Sequence, residues 1–383
     1  MDEIYLASLS AYLPGMGRML IPRLVNLMGS AEAVFKAERS DLEATHLMNP
    51  QHISAFLRSR DKDFPTRLEY LTRKDGMQIL SIYDKEYPLS LKQLHDPPLV
   101  LYVKGELPKE VYRVGIVGSR LCTEYGMRAT EEFATALAYA GVPIISGGAK
   151  GIDSTAHRAC LAAGGKTVAV MGCGLDIVYP PENEQLFQEI TENGAIISEF
   201  PPTTAPRGIN FPQRNRIIVG LSQAVIVAEA TLNSGAGITA NIAADEGREV
   251  YCVPGSIYEN SSAGCNELIR NGASLITSPR DIINDMERWQ AARIRGMETS
   301  LFDFAPLELE ENVNKVKVKI EKQEPNCSEF GKELLNILKR GTLSLEELTR
   351  RCGRDVPTVS MELLDLQVAG LIKQDIIGNY CRT

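Results

Sequence analysis

Between Tyr112 and Trp289 the sequence alternates without a break between short apolar runs and longer helical stretches. The runs are Val114–Val117, Val142–Ile145, Thr167–Val170, Ala195–Ile197, Ala224–Val227 and Val250–Val253, and stretches such as Glu124–Ala140, Asp153–Ala163 and Glu182–Glu192 separate them. Short continuous apolar strands are buried on both faces, so they need helices above and below. The pattern therefore predicts an α/β domain with a Rossmann-like, doubly wound parallel sheet. In such a sheet ligands bind off the carboxyl ends of the strands, and the residues that follow each run are where chemistry is to be sought.

Those residues are glycine-rich and basic. Gly118-Ser119-Arg120 follows the first run and Ser146-Gly147-Gly148-Ala149-Lys150-Gly151-Ile152-Asp153 the second. Gly172-Cys173-Gly174-Leu175-Asp176, Ser198-Glu199-Phe200-Pro201, Glu229 to Gly237 and Pro254-Gly255-Ser256 follow the others. Between the fourth and fifth runs lies Asn210–Ser222, NFPQRNRIIVGLS. A helix is expected to open at Pro212, whose fixed φ suits a first turn. Ile217, Ile218, Val219 and Leu221 form its buried face, with Arg214, Asn215 and Arg216 in the opening turn. Cations there oppose the helix dipole, and a bound anion would compensate them. Solvated arginines, or a salt bridge to a nearby carboxylate, are the alternative. With Arg120 and Lys150 on the same edge, the loops together predict a phosphate-binding surface.

The familiar phosphate ligands do not fit. Val117-Gly118-Ser119-Arg120 lacks the GxGxxG order, and Ser146 ends the second strand where an acid would hold a ribose. Gly165-Lys166-Thr167 has Cys160 in place of the first P-loop glycine and precedes a strand instead of a helix. Neither cofactor nor metal is implied. The eight cysteines are scattered without a CxxC pair, and none of the four histidines has ligand spacing. His157, alone among histidines in this domain, reads as a capping or packing residue. Asp153 reads as the N-cap of Ser154–Ala163. Cations on several glycine-lined loops, without a catalytic set, suit an extended polyanion held by its backbone, such as single-stranded nucleic acid. Phe211 either stacks on a base or packs in the core.

A chain of 383 residues is long for one core. Residues 1–75 read as a helical domain with a hairpin of the helix-hairpin-helix kind. Its Leu13-Pro14-Gly15-Met16-Gly17 is either a phosphate-touching hairpin or a plain turn. Residues 76–110, with short strands at Ile79–Ile82 and Leu99–Val103, lead into the central domain, which ends near 289. Residues 290–327 read as a charged linker, in which Val313–Ile320 is a strand or an extended segment. Residues 328–383 read as three helices and a hairpin turning at Gly378-Asn379, resembling a winged helix. The third of these helices carries Glu362 and Asp365 and no cation, which suits a protein contact at least as well as groove reading. The net charge of −8 leaves only KVKVKIEK as a dense basic run, so any nucleic-acid surface must be local. No segment approaches the apolar length of a membrane span, and a cytoplasmic protein is expected.

Seven motifs in order carry a resemblance. They are GSRLCTEYG, SGGAKGIDSTAH, GKTVAVMGCGLDIVYPPEN, SEFPP, FPQRNRIIVGLS, EATLNSGAGITA, and VPGS followed by GCNELI. Together they resemble the DNA-processing protein A (DprA/Smf) family across Gly115 to about Ile276. The resemblance implies a non-enzymatic protein of natural transformation. Such a protein binds incoming single-stranded DNA, protects it, loads the RecA recombinase and forms a homodimer through the Rossmann-like domain. The resemblance also implies that the N-terminal helical domain is sterile-alpha-motif-like. It implies that Arg120, Lys150, Arg214 and Arg216 face the phosphates; Phe211 and Asn215, read from the sequence beside those arginines, complete the expected single-strand site. Lys166 would add a charge, and Gly118, Ser119 and Gly235 backbone contacts. The rival reading is a nucleotide phosphoribohydrolase of the lysine-decarboxylase-like group. Its motif ends in a glutamate where NSGAGITAN has Asn241, and an amide cannot act as acid or base.

Overall fold

The computed structural model describes residues 2–13, 17–110, 112–294, 328–338, 343–354, 356–368, 372–374 and 380–382. The chain divides into two units, residues 1–304 and 305–383. In the first, nine strands form one sheet: β1 (Gln78–Ser81), β2 (Val100–Gly105), β3 (Val114–Gly118), β4 (Ile144–Ser146), β5 (Thr167–Val170), β6 (Gly194–Ser198), β7 (Ala224–Glu229), β8 (Glu249–Cys252) and β9 (Ser274–Leu275). Their order is β1-β2-β6-β5-β4-β3-β7-β8-β9. All pairs from β6 to β9 are parallel, while β1 and β2 extend the sheet in antiparallel register.

Every residue of β4, β5, β6 and β7 is buried, as uninterrupted apolar runs require. One face of the sheet packs against the helices that carry Phe133, Leu137, Ile152 and Ala156. The other packs against helices carrying Leu91, Ile217, Leu221, Ala236 and Ala240. Strand β4 starts two residues later than its apolar run. Gly141 takes a left-handed φ of 71°, and the Val142 amide returns to the Leu137 carbonyl (2.9 Å) to close the Glu124–Tyr139 helix.

The N-terminal helices do not form a core apart from the sheet. Leu6, Leu9, Leu24, Phe35 and Phe56 belong to the same buried cluster as Tyr102, Leu186, Ile190 and Ile196. Residues 14–16, which hold the Pro-Gly of the expected hairpin, lie outside the described residues. At the other end, the Pro279–Ile294 helix runs five residues past the expected boundary at 289, and the linker from residue 295 on lies outside the described residues.

In the second unit, helices Glu329–Leu338, Leu345–Cys352 and Val356–Val368 surround Leu334, Leu335, Leu348, Val359, Leu363 and Ile372. Strands β10 (Ile372–Gln374) and β11 (Tyr380–Arg382) pair antiparallel, and Leu343 bridges to Tyr380 as a third edge. This is a winged helix. The expected turn at Gly378-Asn379 is outside the described residues. Among the described residues no helix is long and apolar enough to cross a membrane.

Candidate nucleic-acid interface

The connections from β3 lead one way along the sheet to β4, β5 and β6, whereas β7 returns to β3's other side and leads to β8. Carboxyl-end loops diverge at such a switch, leaving a crevice between β3 and β7. A groove of about 680 Å3 occupies it, lined by Gly118, Ser119 and Arg120 after β3 and by Thr231, Ser234 and Gly235 after β7. Phe211, Arg214 and Asn215 of the Asn210–Leu221 helix line it as well. A smaller hollow of about 80 Å3 adjoins it, between Arg120, Lys150, Gly172, Tyr179 and Phe211.

Arg120 and Lys150 are exposed at this edge, as is Arg207 between the lining residues Pro206 and Gly208. The Arg120 guanidinium lies 5.1 Å from the centre of the Phe211 ring, and the Tyr179 ring lies 5.6 Å from the same ring. Phe211 is half-buried: one part packs on Gly172 while the rest lines the groove. Lys150 pairs with Glu182 at 2.5 Å, both well exposed, and this holds the Glu182 carboxyl below its ordinary range. Gly235 opens the Gly235–Asp245 helix beside the groove, capped by Ser234 Oγ, which accepts from the Gly237 amide (3.2 Å). No neighbour crowds Gly235.

Several expected contacts are placed differently. The Asn210–Leu221 helix begins two residues before Pro212, and the Asn210 side-chain amide donates to Gly172 O (3.0 Å). Arg214 therefore sits in the second turn rather than at the dipole end, and it is 4% exposed. Its Nη1 donates to the carbonyls of Gly147 (2.6 Å) and Val170, and its Nε to Asn215 Oδ1 (3.3 Å). Burial presses the Arg214 pKa down to about 10 against the supporting charge of Asp153. Asn215 is buried with it. Arg216 points elsewhere and forms a two-pronged bond to Glu199 (2.9 and 2.7 Å), with Asp96 at 3.3 Å. Burial works against its charge, but those carboxylates outweigh burial and raise its pKa. The carboxylate alternative for this arginine is the one realised.

Lys166 precedes β5 and so lies at the amino end of the sheet, away from the groove, paired with Glu110 at 2.8 Å. The Ser119 amide is already donated to Glu229 O (2.8 Å), so its N–H is not free for a phosphate, and its carbonyl accepts from Ile152 N (3.1 Å). Gly118 abuts Ile152 and the Glu229 carbonyl at the groove wall. Asp153 does not cap its own helix. That helix starts at Ile152, and Asp153 Oδ2 instead accepts from the amides of Gly147 (3.1 Å) and Ala149 (3.3 Å) in the preceding loop. His157 is structural: it is fully buried, with Nδ1 2.7 Å from Thr167 Oγ1 and its pKa pushed down by burial to about 3.

Tyr179, Glu182 and Glu229 escaped the sequence reading as site elements. Tyr179 and Glu182 lie within the IVYPPEN motif, where a tyrosine before two prolines signals a rigid exposed ring. Glu229 offered no such signal. It is a buried carboxylate that accepts the Thr123 amide (3.1 Å) and hydroxyl, tying the strand end to the loop after Arg120.

Fold and crevice define a Rossmann-like α/β protein with cations and aromatic rings at its switch point, followed by a winged helix. Residues 78–287 match the family described as DNA recombination-mediator protein A, and residues 328–375 match the DprA winged helix domain. Protein Smf of Synechocystis is 33% identical over 381 residues, 96% of either chain. The DNA processing protein DprA of Streptococcus pneumoniae is 45% identical over 208 residues, 54% of this chain and 73% of its own. The X-ray structure of S. pneumoniae DprA superposes with a TM-score of 0.62 at 34% identity, covering 74% of this chain and 98% of that one. DNA processing protein A of Helicobacter pylori, solved to explain its single-stranded DNA binding mode, gives 0.51 at 33% identity, covering 55% and 96%. The chain belongs to the DNA processing protein A (DprA, Smf) family. That family consists of non-catalytic DNA-binding proteins, so the phosphoribohydrolase reading is set aside.

Proposed function

We propose that this protein binds single-stranded DNA along the β3–β7 groove and delivers it to the RecA recombinase during transformation, working as a homodimer. The observation that carries the DNA reading is the convergence of Arg120, Lys150, Phe211 and Tyr179 on one crevice. Phosphates meet Arg120, Lys150 and the amide end of the Gly235–Asp245 helix, while a base lies against the Phe211–Tyr179 rings. That the H. pylori relative binds single-stranded DNA supports the choice of ligand. RecA delivery and the dimer rest on the family resemblance, and a cytoplasmic location is proposed with them.

The test is binding of labelled oligo-dT to the wild type and to Arg120→Ala at several salt concentrations, with duplex DNA and a nucleoside monophosphate as competitors. Salt-sensitive binding is expected, with a slope that falls by about 0.7 in Arg120→Ala, the step for one single-strand phosphate contact. Displacement by the monophosphate, without preference for the long strand, would refute the reading. For the finer step, RecA-catalysed ATP hydrolysis on single strands should rise when the protein is added.

A further inference from the structure

We propose that Arg214 is a positioning residue for single-strand binding, acting through the Gly147–Lys150 loop and the Phe211 ring and making no phosphate contact of its own. This rests on the functional reading above.

The loop between β4 and the Ile152–Ala162 helix is held from two sides. Arg214 takes the Gly147 carbonyl, and Asp153 takes the amides of Gly147 and Ala149. Gly147 lies between the two charged groups. A Cβ at that position would strike Arg214 Nη2 and Asp153 Oδ2 alike, so Nη2 rests against the loop backbone. The second carbonyl on Nη1, that of Val170, anchors the guanidinium to the end of β5. Lys150 stands one residue beyond the held amide of Ala149, so this arrangement sets where its side chain leaves the loop toward Glu182.

The other route is the ring. The Arg214 guanidinium lies 6.0 Å from the Phe211 centroid and that of Arg120 lies 5.1 Å from it, so one ring is shared by an interior and an exposed cation. A planar fork with donors on Nε and Nη1 can serve Asn215 and two carbonyls at once, whereas a lysine ammonium, a compact charge on a shorter side chain, cannot reproduce that geometry. A phosphate contact would instead show itself in the salt slope once the charge is removed.

The experiment compares Arg214→Lys, Arg214→Met, Lys150→Ala and Arg120→Ala in oligo-dT titrations over a range of salt. Arg214→Lys should bind about tenfold more weakly although its charge is kept, with the wild-type salt slope. Lys150→Ala and Arg120→Ala should each lower that slope by about 0.7. In a Lys150→Ala background the Arg214→Lys loss should shrink, because part of it acts through Lys150. Wild-type binding by Arg214→Lys, or a slope in Arg214→Met lowered as in Arg120→Ala, would overturn the proposal. Should Arg214→Met fail to fold, Arg214→Lys carries the test. Hydrogen exchange without DNA keeps the two readings apart. Protection of the Gly147 and Ala149 amides should fall in Arg214→Lys, and unchanged protection overturns the positioning role whatever the DNA does. Absent binding by the wild type overturns the functional reading instead.

Discussion

Acidification should destabilise this protein through one buried imidazole. His157 is fully enclosed, its Nδ1 meets Thr167 Oγ1, and its Nε2 has no partner that a proton could bridge to. Burial first, and then the charges of Arg214 and Arg158, push its pKa down from 6.5 to about 3. The folded state therefore resists protonation, while the unfolded chain takes up a proton near pH 6.5. The sign follows: the stability is fully present above pH 6.5 and is lost as pH falls from there toward 3. Between pH 7.5 and pH 5 the loss from this one group comes to about 2 kcal/mol. Urea unfolding at half-unit pH steps would measure it, with His157→Gln as the reference. That variant should start less stable at pH 7.5, yet lose about 2 kcal/mol less on going to pH 5. Parallel pH profiles for the two proteins would refute the argument, because the proton would then be taken up elsewhere.

Three further outcomes are expected. Lys166→Ala should leave oligo-dT affinity and its salt slope at wild-type values, since Lys166 sits at the amino end of β5; a lowered slope would return it to the interface. Glu182→Gln should raise oligo-dT affinity about two- to fivefold at low salt by freeing Lys150, an effect that added salt removes. Gly147→Ala should lower the unfolding free energy by about 1–3 kcal/mol, because the new methyl meets Arg214 and Asp153; an unchanged urea midpoint would mean that the loop relaxes freely.

The sheet was legible because its signal is local: four apolar residues in a row leave a strand no solvent face. The side of the sheet on which a charge lies was legible as well, and Lys166, the residue before Thr167, shows that a motif can draw a residue into a site its position denies it. Side-chain direction was another matter. Arg214 and Arg216 are two residues apart on one helix and so point different ways, one to interior carbonyls and one to Glu199. Only long-range packing decides which is which. The two-residue offset of the helix start likewise depends on Asn210 reaching Gly172, a contact between segments far apart in sequence. Of the four cations that the resemblance set against the phosphates, Arg120 and Lys150 are exposed at the crevice, whereas Arg214 and Arg216 are held by protein groups.

The shared buried cluster of Leu6, Leu9 and Phe56 with Tyr102, Leu186 and Ile196 has a consequence for cooperativity. Neither the helices nor the sheet can lose their order without baring the other's apolar face to water. The first unit should therefore melt in a single transition. A cut in the chain between residues 76 and 110 would leave two fragments that still need each other to stay folded. Strain applied at the amino-terminal helices would then be carried by the whole sheet instead of being absorbed at a hinge.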